Sequence, residues 1–217
     1  MNPDRRDAAS RLHPGRAGIV QSLQGIFIGV LVCTTTGPEG ARGQTRAQPI
    51  AFKGSTLGMT LQDWRAVPIP LGAGPAPERA CSNEHRIAKI PAFHLSAIEV
   101  KTGVIACTYV SRFGHQVLAH SIDLDPSFRA SNLAFVFTHN RLSEIRFKAS
   151  IDARSDIIAL LTKSYGPPTR TTHNSSWMPW GLIHRVRQSW TTPTGIIMLE
   201  DPSDQLTLLS VRMATTG

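Results

Sequence analysis

Between Val104 and Met213 the sequence keeps returning to one pattern, a short β-branched or aromatic run closed by turn-forming residues. Val104–Val110 is such a run, broken at Gly114, and Gln116–Leu124 alternates as a second strand. Leu133–Thr138 and Leu142–Lys148 flank Thr138-His139-Asn140-Arg141, where Asn140 accepts the left-handed conformation of a tight hairpin turn. Arg170–His173, Val186–Thr192, Gly195–Leu199 and Gln205–Met213 continue the series, with turns at 192–195 and 201–204. Turns this short join neighbouring antiparallel strands, so the pattern commits the chain to antiparallel sheet. In the hairpin's second strand Leu142, Glu144, Arg146 and Lys148 share one face by alternation. Ser143, Ile145, Phe147 and Ala149 share the other, which places Ile145 and Phe147 in the core.

Two helices interrupt this pattern. Thr60 followed by Asp63 reads as a capping box that starts a short helix, and Pro68 and Pro70 stop it. A longer helix spans about Asp152 to Tyr165, with Ile157, Leu160, Leu161 and Tyr165 on one stripe and Gly166-Pro167-Pro168 as its stop. Helix then strands therefore occurs twice, over 50–148 and 150–217. The expected fold is α+β, helices packed on antiparallel sheet in a tandem helix-plus-strands repeat, or one compact domain over 50–217.

The first 47 residues read as a signal peptide and flexible leader. Arg5, Arg6, Arg11 and Arg16 precede an apolar run from Gly25 to Cys33, followed by small and turn residues. That run is about half the roughly 20 apolar residues of a spanning helix, so no integral membrane segment is expected in the mature chain. Cleavage near Gly43 to Ala47 would deliver a periplasmic or secreted protein. Removing 1–43 takes away five basic and three acidic residues, which lowers the net charge from +8 to +6. The remaining basic residues, among them Arg141, Arg146, Lys148, Arg154, Lys163, Arg170, Arg185, Arg187 and Arg212, are scattered with Glu144, Asp152 and Asp156 mixed among them, and Arg185 and Arg187, two apart, read as a solvated strand face. Cys81 and Cys107 are an even pair in an oxidising compartment and are expected to form a disulfide.

Two further stretches, Gly58-Met59-Thr60 and Tyr165-Gly166-Pro167-Pro168, carry a resemblance. The chain resembles small bacterial envelope proteins of the SmpA/OmlA (BamE-like) type and the related tandem inhibitor fold. Those carry Gly-Met-Thr before a helix, a helix ending in Gly-x-Pro, and then antiparallel strands. The resemblance implies a helix-plus-strands fold and an envelope setting.

Chemical motifs are sparse. The histidines show no close pairing of the kind that marks a zinc site, and His115 and His120, five apart, fall on opposite faces of a strand. Gly-x-Ser-x-Gly, Ser-x-x-Lys and the phosphate-cradling glycine loop are all lacking. Asp123 and Asp125 read as turn formers before Pro126, and Gly72-Ala73-Gly74 as a flexible turn. Catalytic residues, cofactors and metal ligands are therefore not assigned. What resembles a contact surface is Trp177-Met178-Pro179-Trp180, read as a loop presenting two tryptophans, with Trp190 a strand away and Arg185 and Arg187 on one strand face. The expected function is an exported, non-enzymatic binding or envelope-assembly module that meets an envelope protein or peptidoglycan, with nucleic acid not expected. The alternative is a periplasmic hydrolase assembled from distant residues such as His173, His184 and Asp201.

Overall fold

Antiparallel strands dominate the computed structural model, which describes residues 49–70, 75–84, 90, 93–126, 128–178, 181–202 and 207–216. The leader over 1–47, its cleavage near Gly43 to Ala47, the turn at Gly72–Gly74 and Trp180 lie outside the described residues. The described residues all belong to one compact unit, Gln44–Gly217.

A small hairpin, β1 (Ala51–Phe52) and β2 (Ser55–Thr56), precedes the main sheet. The sheet contains β3 (Glu78–Cys81), β4 (Ile105–Phe113), β5 (Gln116–Ala119), β6 (Ile122–Asp125), β7 (Phe128–Thr138) and β8 (Arg141–Ser150). It continues with β9 (Arg170–Met178), β10 (Gly181–Thr192), β11 (Gly195–Asp201) and β12 (Leu208–Ala214). The strand order is β3-β4-β7-β8-β12-β11-β10-β9, with β5 on β4 and β6 on β7.

The α+β expectation is corrected by this architecture. Strands account for 54% of the described residues and helices for 18%, and a ten-stranded antiparallel sheet carries the fold in place of a tandem helix-plus-strands arrangement. The reason lies in how little the helices bury. Helix α1 (Leu61–Ala66) buries Trp64, α2 (Ala97–Lys101) buries nothing, and α3 (Arg154–Tyr165) buries Ile157 and Leu161. Leu160, expected on the buried stripe of α3, is 48% exposed. The stripe follows the four-residue step Ala153, Ile157, Leu161, and Leu160 falls beside it.

Local signals performed better. Thr60 caps α1 with the full reciprocal box to Asp63, and the helix ends at Ala66, before Pro68. His139 and Asn140 both adopt positive φ, 49° and 61°, the backbone of a two-residue hairpin turn matched to strand twist. Gly166 stops α3 at φ 80° with its N–H on the Thr162 carbonyl. Cys81 and Cys107 sit directly opposite each other on β3 and β4 and are joined by the expected disulfide. Closing 26 residues of chain is worth about 3.5 kcal/mol on the chain-entropy estimate.

Two strand readings change. Gln116–Leu124 is two short strands parted at His120 and Ser121. In β8 the register slips between Glu144, opposite Val136, and Leu142, opposite Phe137. That bulge at Ser143 turns Leu142 onto the core face with Ile145 and Phe147, away from Glu144.

The main core lies on one face of the sheet. Trp64 stacks on Tyr109 at 5.7 Å and meets Phe135 and Phe137 edgewise or tilted, while the Arg79 guanidinium lies 5.3 Å over its ring. Phe52 of β1 packs 5.1 Å from Phe147, and Ile197, Leu199, Val211 and Met213 extend the cluster. A second, smaller cluster covers the opposite face of β3, β4 and β7. There Ala80, Ala106, Val110 and Ala134 are small enough to let Ile90 and Phe93 close over them.

Candidate functional site

The outer hairpin, β9 and β10, forms the far edge of the sheet. Its pairing is long, running from Ser189 opposite Arg170 to Gly181 opposite Met178. Pairing with β11 starts only at Val186 opposite Asp201, so residues 181–185 pair with β9 alone among the described residues. This end of the hairpin is a two-stranded ribbon.

The cross-strand rows of one ribbon face follow from the register. Trp190 lies opposite Ile197, in the core, and its indole N–H donates to the Gly166 carbonyl at 2.9 Å. Toward the ribbon end the same face carries Val186 with His173, then His184 with Ser175, then Leu182 with Trp177. From Trp190 to Leu182 is about 27 Å of strand. Over that span the tryptophans go from 1% exposed at Trp190 to 79% at Trp177, and Leu182 is 43% exposed. Trp190 is thus a core residue and does not join Trp177 in a contact surface. Trp177 also belongs to strand β9 and not to a loop, because β10 supplies ladder partners through Met178.

Arg185 and Arg187 alternate onto the opposite face, as expected, and converge on one carboxylate. Glu200 receives Arg187 at 3.1 Å and Arg185 at 3.7 Å. Such partly exposed pairs are worth about 0–1 kcal/mol each. Glu200 was not singled out from sequence, and the signal that finds it is register, since it lies directly opposite Arg187.

The hydrolase residues are brought to one face without forming a catalytic arrangement. His173, Val186 and Asp201 form one cross-strand row, and His184 is in the next. Asp201, 8% exposed, is paired with Arg154 at the start of α3 and does not reach an imidazole. His184 Nδ1 instead lies 2.8 Å from Ser175 Oγ on the exposed strand surface. A second serine–histidine contact is buried: Ser111 Oγ lies 2.7 Å from His120 Nδ1 and 3.2 Å from the Pro75 carbonyl. Burial pushes the His120 imidazole below its ordinary value, with the charge of Asp123 acting the other way. His120 is 4% exposed, so among the described residues the pair is closed off from solvent.

Asp123 is not in a turn as expected: it lies in strand β6 directly opposite Arg129 of β7 and is ion-paired with it at 2.7 Å. No group of three or more metal-ligating side chains occurs among the described residues. An open cleft of about 540 Å³ between the start of β7 and the start of α3 is lined by Pro126, Phe128, Arg129, Asp152 and Asp156 among others. Its lining contains no histidine, and its one serine–carboxylate contact, Ser150 Oγ donating to Asp152 at 3.1 Å, belongs to the cap of the turn into α3.

Comparison with protein-family models, with curated proteins and with solved structures found no match. What the fold and the surface define is a disulfide-bonded antiparallel-sheet protein with an exposed outer hairpin.

Proposed function

We propose that the chain is an exported, periplasmic, non-enzymatic binding or envelope-assembly module whose outer hairpin contacts an envelope protein or peptidoglycan. One observation carries this reading. Trp177 and Leu182 form a directly opposed apolar pair at the ribbon end, and the fold leaves 79% of Trp177 exposed. An amphipathic ring held on a ladder offers large contact area at low entropic cost, which suits recognition. Support for the setting comes from the basic-then-apolar leader, from the disulfide, which persists in oxidising compartments, and from the resemblance to small envelope proteins. No helix among the described residues is long and apolar enough to cross a membrane.

The test is recovery of partners from an envelope fraction by the wild type and by Trp177→Ala. Reduced recovery by a variant that melts at the wild-type temperature is expected. Equal recovery removes the hairpin from the proposal.

The hydrogen bond between Ser175 and His184 is the one observation that favours the hydrolase alternative. An esterase, amidase and phosphatase panel decides between the two. Turnover lost in a folded His184→Ala variant would replace the binding module with an enzyme.

A further inference from the structure

The basic residues that look scattered in sequence are gathered by strand register onto one face. One cross-strand row reads Arg146, Arg212, Met198, Ser189, Arg170 across β8, β12, β11, β10 and β9. The adjacent row reads Lys148, Ser210, Glu200, Arg187, Thr172 across the same strands. Arg185, two residues from Arg187, shares this face. Each row spans five strands, about 19 Å.

Among the described residues, carboxylates on this face are fewer than guanidiniums. Glu144 lies 2.8 Å from Arg212 and 3.9 Å from Arg146, and Glu200 serves Arg187 and Arg185. At the rim, the α2 cap residue Glu99 is held below the usual carboxylate range, first by the Ser96 backbone N–H and further by Arg146 and Arg212. Among the described residues, the five arginines Arg146, Arg170, Arg185, Arg187 and Arg212 thus meet three carboxylates. Arg146 and Arg212 stand directly opposite each other, a like-charge pairing that is unfavourable unless bridged; Glu144 bridges it, and Arg146 also donates to the His94 carbonyl at 3.1 Å.

The chemistry of the occupant follows from how the face treats its own anions. Glu144 and Glu200 are each bracketed by two guanidiniums, a geometry that suits carboxylate groups. Neither row contains an aromatic side chain, so nothing in them stacks on bases as single-stranded nucleic-acid surfaces do. The leader does not fit, because Arg5, Arg6, Arg11, Arg16, Arg42 and Arg46 outnumber Asp4, Asp7 and Glu39 and repel a basic face. We propose that this face is the docking surface for an acidic protein segment, whose Asp and Glu side chains meet Arg146, Arg212, Arg170 and Arg187. The proposal rests on the binding-module reading and gives its partner a chemistry.

The test uses the full chain and a fluorescent peptide of consecutive glutamates, with its all-glutamine counterpart, in anisotropy titrations at low ionic strength. The glutamate peptide binds, the glutamine peptide does not, and added salt weakens binding. Arg146→Gln with Arg212→Gln lowers affinity about tenfold, the size expected of two partly exposed charge pairs. Lys53→Gln with Lys163→Gln removes the same charge away from the two rows and changes affinity less than about twofold. Should the central double variant fail to fold, Arg170→Gln with Arg187→Gln at the sheet edge gives the same readout. Equal losses in the on-face and off-face variants would overturn the proposal. So would absence of glutamate-peptide binding, or tighter binding of duplex DNA or phosphatidylglycerol vesicles through the same arginines. The assay involves no envelope fraction, so its failure removes this face and leaves the exported module to its own pull-down.

Discussion

The two ends of the sheet are made of similar strands and do opposite things. At the β3-β4-β7 end both faces are buried, one under Trp64 and its aromatic neighbours and the other under Ile90 and Phe93, with the disulfide across β3 and β4. At the β9-β10 end the hairpin runs past its last pairing with β11, and its side chains pass from core to solvent along one face. The difference teaches that strand-forming sequence sets where the ladder goes, while covering elements set where stability is. Burial on both faces is found at the first end, and the exposed pair on which the proposed binding role rests, Trp177 and Leu182, lies at the other.

The comparison breaks most easily at Trp64. Trp64→Ala empties the centre of the aromatic cluster and is expected to cost about 3–5 kcal/mol, read by denaturant unfolding. A loss under about 1 kcal/mol would mean that α1 is not part of what holds this end together. Next comes the disulfide. Cys81→Ser with Cys107→Ser is expected to cost about 2–5 kcal/mol, checked by unfolding with and without reductant, to which the variant should be indifferent.

His120 supplies a smaller, pH-dependent effect at the same end. Its folded-state value is depressed by burial, so below its ordinary value of about 6.5 the unfolded chain binds more protons than the native one. Stability contributed by the neutral ring is present above that pH and is lost as pH falls through it toward the folded value. His120→Gln should flatten the pH dependence of stability between about pH 7 and 5. Identical slopes in variant and wild type would contradict this. The smallest change is expected at the other end, where Trp177→Ala should alter stability by less than about 0.5 kcal/mol while reducing partner recovery.

How legible this was depends on how far each signal reaches. The Thr60 cap, the His139-Asn140 turn and the Gly166 stop are decided within a few residues, and the sequence states them directly. The disulfide needed only a count and a compartment. The bulge at Ser143 inverts the face of Leu142 and has no local mark, because Leu142-Ser143-Glu144 alternates as well with it as without. Strand β9 runs through Asn174-Ser175-Ser176, residues with little strand preference, because β10 offers a ladder and tertiary pairing overrides propensity. The α2 cap is written in the sequence as Ser96 and Glu99, the same capping-box spacing as Thr60 and Asp63. The basic face was invisible for a stronger reason. Arg146, Arg170 and Arg212 become neighbours only through the register of five strands, and no spacing along the chain encodes that.

Amide hydrogen exchange on the full chain tests the separation of stability from recognition most directly. The account predicts the slowest exchange in β4, β7 and β8, and exchange faster by orders of magnitude in 174–178 and 181–185, where the ribbon opens without global unfolding. Protection in the ribbon equal to that of β7 would contradict it, since the outer hairpin would then be as much a part of the folded core as the disulfide end.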